Sequence, residues 1–262
     1  MDYKPFHGSL NPASVFDVLR YKKEFRRVHP EYFDPDGILV FCGAQGQGKT
    51  ISAVSYVLRL IRMYSDVVIC SNVNFQDQPD FKFLLGNDVE FLKKQCADLL
   101  DSTGVRYVPF IPYDSVDRLS SVCNGYGGVI FLIDEMHLEF NSLESKNIPI
   151  EVMIEVSQQR KQRKHIVGTS QQFMRLAKPL REQVKNLVIC RKMFGCMQFN
   201  KLIDGSTITE RDGHIRMEIK KRCIWFHSPE MYDSYDTYKK MRRYREEWQG
   251  VSRSSIYSDI NV

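Results

Sequence analysis

Gly43-Ala44-Gln45-Gly46-Gln47-Gly48-Lys49-Thr50 follows the apolar run Ile38-Leu39-Val40-Phe41-Cys42 and leads into a stretch with Val54, Val57, Leu58 and Ile61 at helical spacing. The octet matches G-x-x-x-x-G-K-T between a strand and a helix, the context a phosphate-binding P-loop requires. Its glycines permit a tight turn that aims successive backbone N–H groups inward. The helix beginning at or just before Thr50 adds its positive end. The expected ligand is a nucleoside triphosphate with Mg2+, cradled by the amides of Gly43, Ala44, Gln45, Gly46, Gln47, Gly48, Lys49, Thr50 and Ile51. Lys49 is expected to reach the β- and γ-phosphates, and the Thr50 hydroxyl to ligate the metal.

A second motif completes the expectation. Val129-Ile130-Phe131-Leu132-Ile133 is a short apolar run ending in Asp134-Glu135, a Walker B pattern. A buried strand would deliver both acids to its carboxyl end, where open α/β sheets bind ligands. Asp134 is expected to hold Mg2+, and Glu135 to act as general base on an attacking water. The adjacent glutamate favours hydrolysis over binding alone. The strand His165 to Thr169 ends in Ser170-Gln171, so Gln171 first and Ser170 second are candidates to contact the γ-phosphate or the water. A guanine reader, N-K-x-D, is not matched: Asn200-Lys201-Leu202-Ile203-Asp204 has one residue too many, so ATP is expected rather than GTP.

The chain has 262 residues, 43% of them hydrophobic, enough for one large core. Its 37 basic and 32 acidic side chains give a net charge of +5, which permits an acidic partner without demanding one. Seven cysteines form no C-x-x-C pair, as expected in a reducing compartment. No apolar run nears the ~20 residues that span a bilayer, and no secretory signal follows Met1, so a soluble cytoplasmic protein without membrane anchor is expected.

Strands alternate with helices, and most strands read as continuous apolar runs. That predicts a mostly parallel α/β sheet covered on both faces, of the P-loop NTPase, RecA/ASCE-like kind. Residues 1–36 are expected to form an N-terminal extension with a helix from Ser14 to about Val28. Residues 37–192 would be the core. Residues 193–262 would add a β-hairpin, with arms near Met193–Ile203 and His214–Trp225, then a charged helix from about Tyr232 to Trp248. Other expected helices begin at Asn87 and run from about Ile150 to Lys164.

The chain resembles the FtsK/HerA branch of P-loop ATPases, and within it the Zot-like proteins of phages and viral packaging ATPases. The P-loop, Cys70-Ser71-Asn72-Val73, Ile133-Asp134-Glu135-Met136-His137, Gln158-Gln159-Arg160-Lys161, Gly168-Thr169-Ser170-Gln171 and Tyr235-Asp236-Thr237-Tyr238 carry the resemblance. It implies a homo-oligomeric ring that uses ATP to translocate DNA, most simply a viral genome-packaging motor meeting a capsid portal protein. A Zot-like assembly or export ATPase, or a nucleotide-dependent binding protein with little turnover, are the alternatives. The resemblance also implies an arginine supplied between subunits, for which Arg160, Arg163 and Arg181 are candidates. Three basic clusters, Arg160–Lys164, Lys220–Arg222 and Lys239–Arg245, could contact a DNA backbone, most simply that of a duplex.

Overall fold

The computed structural model describes residues 14–29, 31–143, 148–211 and 214–236. In chain order the strands and helices are α1 (Ser14–Val28), β1 (Ile38–Cys42), α2 (Lys49–Met63), β2 (Val68–Ser71), β3 (Asn74–Phe75), β4 (Lys82–Leu85), α3 (Val89–Thr103), β5 (Tyr107–Pro112), α4 (Arg118–Ser121) and β6 (Val129–Ile133). They continue with α5 (Ile150–Gln158), β7 (Lys164–Ser170), α6 (Lys178–Arg181), β8 (Val184–Met193), β9 (Met197–Asp204), β10 (Thr209–Arg211), β11 (His214–Arg216), β12 (Ile219–Phe226), α7 (Pro229–Asp233) and β13 (Tyr235–Asp236).

One nine-stranded sheet organises the chain, in the order β12-β9-β8-β1-β7-β6-β2-β5-β4. From β4 to β8 every neighbouring pair is parallel, and β9 and β12 extend that sheet antiparallel. This is the α/β P-loop NTPase architecture that the motifs predict. The strand carrying the P-loop is not adjacent to the Walker B strand: β7 lies between β1 and β6.

Alternation along each strand divides the core in two. Ile38, Val40, Cys42, Val129, Phe131 and Ile133 pack with Leu119, Val152, Val156 and Leu180 on one face. Leu39, Phe41, Ile130 and Leu132 meet Ala53, Val54, Val57, Leu58 and Ile61 of α2 on the other. Central strands buried on both sides have little room for polar side chains, which is why they read as unbroken apolar runs. Ser71, Thr169 and Ser170 sit at carboxyl ends, and Lys164 and His165 at the amino end of β7.

Several expectations change. The helix from Ile150 ends at Gln158, because Lys164 is buried as the first residue of β7. Its ammonium donates to Leu119 O at 2.6 Å and to Glu155 Oε2 at 3.0 Å. Arg163 turns the chain into that strand at φ 55°. The N-cap of α3 is Asp88 rather than Asn87: its carboxylate accepts from Phe91 N at 2.7 Å. The strand β4 is unanticipated, since a sheet-edge strand needs no continuous apolar run.

The described part of the C-terminal region is continuous with the main sheet. A turn at Phe194-Gly195 joins β8 to β9, and β9 then pairs with β12, so residue 192 lies inside a strand of the main sheet. The helix expected from Tyr232 stops at Asp233, and Tyr235-Asp236 pairs with β3 instead. The rest of that helix and the Lys239–Arg245 cluster lie outside the described residues. At the other end, Phe33 is buried and Asp36 bonds Lys185 and Asn186, which ties residues 31–36 to the body.

Candidate functional site

The eight-residue loop leaves β1 at the carboxyl edge of the sheet and enters α2 at Lys49. Ala44, Gln45 and Gly46 are exposed, whereas Lys49 is buried and donates from Nζ to Ala44 O at 3.3 Å. Gly48 has φ 78°, and a Cβ there would also overlap the amide of Gln198. That residue must be glycine for two reasons, a left-handed backbone and a neighbour with no room to give.

The Gln198 side chain is fully buried against the loop from the β9 side. Its Nε2 donates to Gln47 O at 3.0 Å and to Asn200 Oδ1 at 2.9 Å. Gln47 Oε1 in turn accepts from Lys192 N at 3.0 Å. Asn200 Nδ2 reaches Ser52 Oγ on α2 at 3.2 Å. The antiparallel extension therefore props the loop. Cys42 and Cys190 lie beneath it, and burial pushes both thiols up to about 12, far from the thiolate form.

Across the sheet, Asp134 Oδ1 accepts from Thr50 Oγ1 at 3.0 Å. It also accepts from Thr169 Oγ1 at 2.7 Å. Thr169 sits at the end of β7, the strand inserted between the two motif strands, and its oxygen accepts from Glu135 N at 2.9 Å. One buried hydroxyl thus ties both acidic residues to the central strand. Asn72 grips the Asp134 peptide from the other side: Nδ2 donates to Asp134 O at 3.0 Å, and Oδ1 accepts from Asp134 N at 2.8 Å. Thr50 and Asp134 are the side chains placed to share Mg2+, and the backbone N–H groups of the exposed turn Ala44-Gln45-Gly46 are those available to phosphate oxygens.

Glu135 adopts the left-handed conformation at φ 54° and ψ 45°, unusual for a residue with a Cβ. Its Oε2 is buried without a hydrogen bond, and His137 Nδ1 stands 3.3 Å away. His137 also lies 3.4 Å from Ser170 Oγ, which donates to Gln172 O at 2.8 Å.

The polar residues at and after the end of β7 face different neighbours. Thr169 contacts the acids, Ser170 faces His137, and Gln171 Oε1 accepts from Arg175 at 3.4 Å. Strand alternation decides this: only one residue at a strand end faces a given neighbour. Asn72, Thr169 and His137 all stand inside stretches that carried the family resemblance, but their roles depend on neighbours distant in sequence. Gln198 had no signal beyond its place in a strand.

The arginine candidates lie elsewhere. Arg163 is at the amino end of the seven-residue strand β7, about 20 Å along the sheet from Thr169's end. Its guanidinium donates to Phe33 O at 2.7 Å and to Tyr32 Oη, and lies 3.7 Å from the Tyr32 ring centre. These bonds hold it against the segment that precedes β1. Arg160 is exposed beside Asp36, His165 and Lys185. Arg181 bonds Met174 Sδ, with its Nε buried and without a hydrogen bond. None of the three contacts the phosphate loop of its own chain. Among the described residues, no helix is long and apolar enough to cross a membrane.

No protein-family model matches the chain, and no curated protein does. Among solved structures, it is similar to the N-terminal domain of zonular occludens toxin from Neisseria meningitidis. That match has 16% identity and a TM-score of 0.45, over 76% of this chain and 98% of the toxin domain. It is also similar to the genome packaging NTPase B204 of Sulfolobus turreted icosahedral virus 2 in complex with ATP-gammaS, at 13% identity and TM-score 0.45 over 70% and 96% of the two chains. The flagellar accessory protein FlaH of Methanocaldococcus jannaschii is matched at 13% identity and TM-score 0.38, over 71% and 91%. At these TM-scores the likenesses carry no weight beyond the sheet order and loop geometry, which establish the P-loop α/β fold by themselves.

Proposed function

We propose that this protein is an ATP-hydrolysing motor that moves DNA, of the viral genome-packaging kind, and that it works as a homo-oligomeric ring. The observation that carries the hydrolytic reading is Asp134 Oδ1, which joins Thr50 of the P-loop to Thr169 of β7 with Glu135 one residue on. Amides of residues 43–51 and Lys49 would hold the triphosphate. Thr50 and Asp134 would hold Mg2+, whose charge offsets that of the phosphate oxygens. Glu135 would take a proton from the attacking water, with Thr169 fixing the backbone at the acid.

The DNA reading rests on the motif resemblance and on exposed cations. Lys221 and Arg222 stand on the edge strand β12, and Arg160 is exposed near the opposite ends of the strands. Several copies around one channel would bind duplex phosphates cumulatively and with steep salt dependence. Arg160, Arg163 and Arg181 are the candidates for a charge offered to a neighbouring site, Arg163 only if it gives up its bonds to Tyr32 and Phe33. A capsid portal is the partner such a motor would need, within the host cytoplasm.

Phosphate release measured with and without long duplex DNA, at two salt concentrations, tests the whole. Expected are stimulation by DNA at low salt, its loss at high salt, and no turnover but retained ATP binding in Glu135→Gln. Turnover indifferent to DNA in a strict monomer would refute the motor. It would favour a Zot-like assembly ATPase if coat proteins are bound instead, and tight ATP binding without product would leave only a nucleotide-dependent binding protein.

A further inference from the structure

The P-loop and the two acids account for the phosphates, but not for the other end of a nucleotide. The sheet order supplies its direction. Thr50 and Asp134, which mark the metal and hence the terminal phosphates, lie toward β7 and β6. The nucleoside end must leave the loop on the opposite side, over β8 and β9. Two strand spacings, about 10 Å, separate β1 from β9, a distance that a ribose and base can cover.

Three aromatic rings stand on that side. Trp225 is directly opposite Gln198 in the β12–β9 register, so both side chains rise from the same face of the sheet. Gln198 is the residue that bonds Gln47 of the loop. His227 Nε2 lies 3.2 Å from Gln198 Oε1, and its Nδ1 lies 2.6 Å from Tyr232 Oη. Gln198 already donates twice through Nε2, so its Oε1 accepts from His227 Nε2–H, while Nδ1 meets Tyr232 Oη, whose hydroxyl also lies 3.4 Å from Gly195 O. The imidazole is thereby held in one orientation. Its ring centre is 4.8 Å from that of Trp225 and 5.4 Å from that of Tyr232. Tyr232 is exposed and Trp225 half-buried, so the cluster is not part of either hydrophobic core.

From this arrangement we infer that the Trp225–His227–Tyr232 step receives the nucleobase by stacking, with Gln198 setting its distance from the phosphate loop. The inference rests on the P-loop holding a nucleotide, as proposed above. Stacking on an aromatic surface accepts any purine, so the step supplies affinity for a nucleoside and little choice between bases. It also gives the C-terminal extension a part in ligand binding beyond propping the loop.

Calorimetric titration of the full chain with ADP and with inorganic pyrophosphate tests it. Tyr232→Ala and Trp225→Leu are each expected to weaken ADP about tenfold and leave pyrophosphate unchanged, so pyrophosphate doubles as the folding control. The chain has two tryptophans, so in a Trp248→Phe background Trp225 is the single emitter. ADP is expected to quench it and pyrophosphate not to. ADP affinity unchanged in both variants, or equal quenching by the two ligands, would overturn the base site and leave the P-loop reading standing. An unaltered protein that binds neither ligand would overturn both.

Discussion

Replacing Thr169 by valine removes one hydroxyl from a site with no solvent to replace it. The residue is fully buried. Valine keeps the shape, but it cannot donate to Asp134 Oδ1 or accept from Glu135 N, contacts of 2.7 and 2.9 Å. A hydrogen bond to a charged group contributes about 1.5–3 kcal/mol, and an amide left unpaired in the interior costs about 1–3 kcal/mol. Part of the Asp134 loss is recovered because Thr50 still donates to the same oxygen. The expected loss of stability is about 2–4 kcal/mol, read as a shift of the urea midpoint with unchanged slope. The same bonds orient both acids. If about 2–3 kcal/mol of that is also lost from the transition state, turnover falls by roughly 30–150-fold with a smaller change in KM. Thr169→Ser restores the hydroxyl and should recover most of both quantities. Ser170→Ala, which breaks a bond to Gln172 O, should cost less in turnover. If Thr169→Val hydrolyses ATP as the unaltered protein does while Ser170→Ala does not, the assignment of Thr169 as the link between the motifs is wrong.

Further expectations concern the same machinery. His137→Ala removes the group 3.3 Å from Glu135 Oε2, and steady-state kinetics should give a severalfold lower kcat with KM nearly unchanged; an unchanged kcat would make His137 a packing residue. Gln198→Ala frees Gln47 O from its support, and ATP affinity by calorimetry should drop up to about tenfold, the worth of one neutral hydrogen bond, whereas equal affinity would mean the loop holds its shape unaided. His165 is buried between Gly37 O and Tyr56 Oη, and burial pushes its imidazole down to about 4 from 6.5. The unfolded chain binds the proton first as pH falls, so this stability is whole above pH 6.5 and is lost toward pH 4, about 3 kcal/mol in all. Urea midpoints of the unaltered protein and His165→Gln should therefore approach one another across that window; a constant gap would refute the buried neutral ring.

The amino-acid sequence by itself determined the phosphate loop, its flanking strand and helix, and the strand that delivers Asp134 and Glu135. Those features are local: glycine freedom, apolar runs and helical spacing are properties of neighbours in the chain. It also marked the stretches holding Asn72, Thr169 and His137, without saying which residue in each faces the site. Tertiary structure decided that, because strand order and pleat choose one side chain at each strand end. The insertion of β7 between β1 and β6 made Thr169 the hydroxyl shared by the two acids. The β9–β12 hairpin was legible as a local pairing, but only the fold brought its Gln198 to Gln47, 151 positions away, and made the hairpin a prop for the loop. The contacts of Arg163 with Tyr32 and Phe33, 130 positions earlier, likewise had no sign in its spacing. A contact between residues more than a hundred positions apart leaves no periodic trace in either segment, so only the folded sheet could assign it.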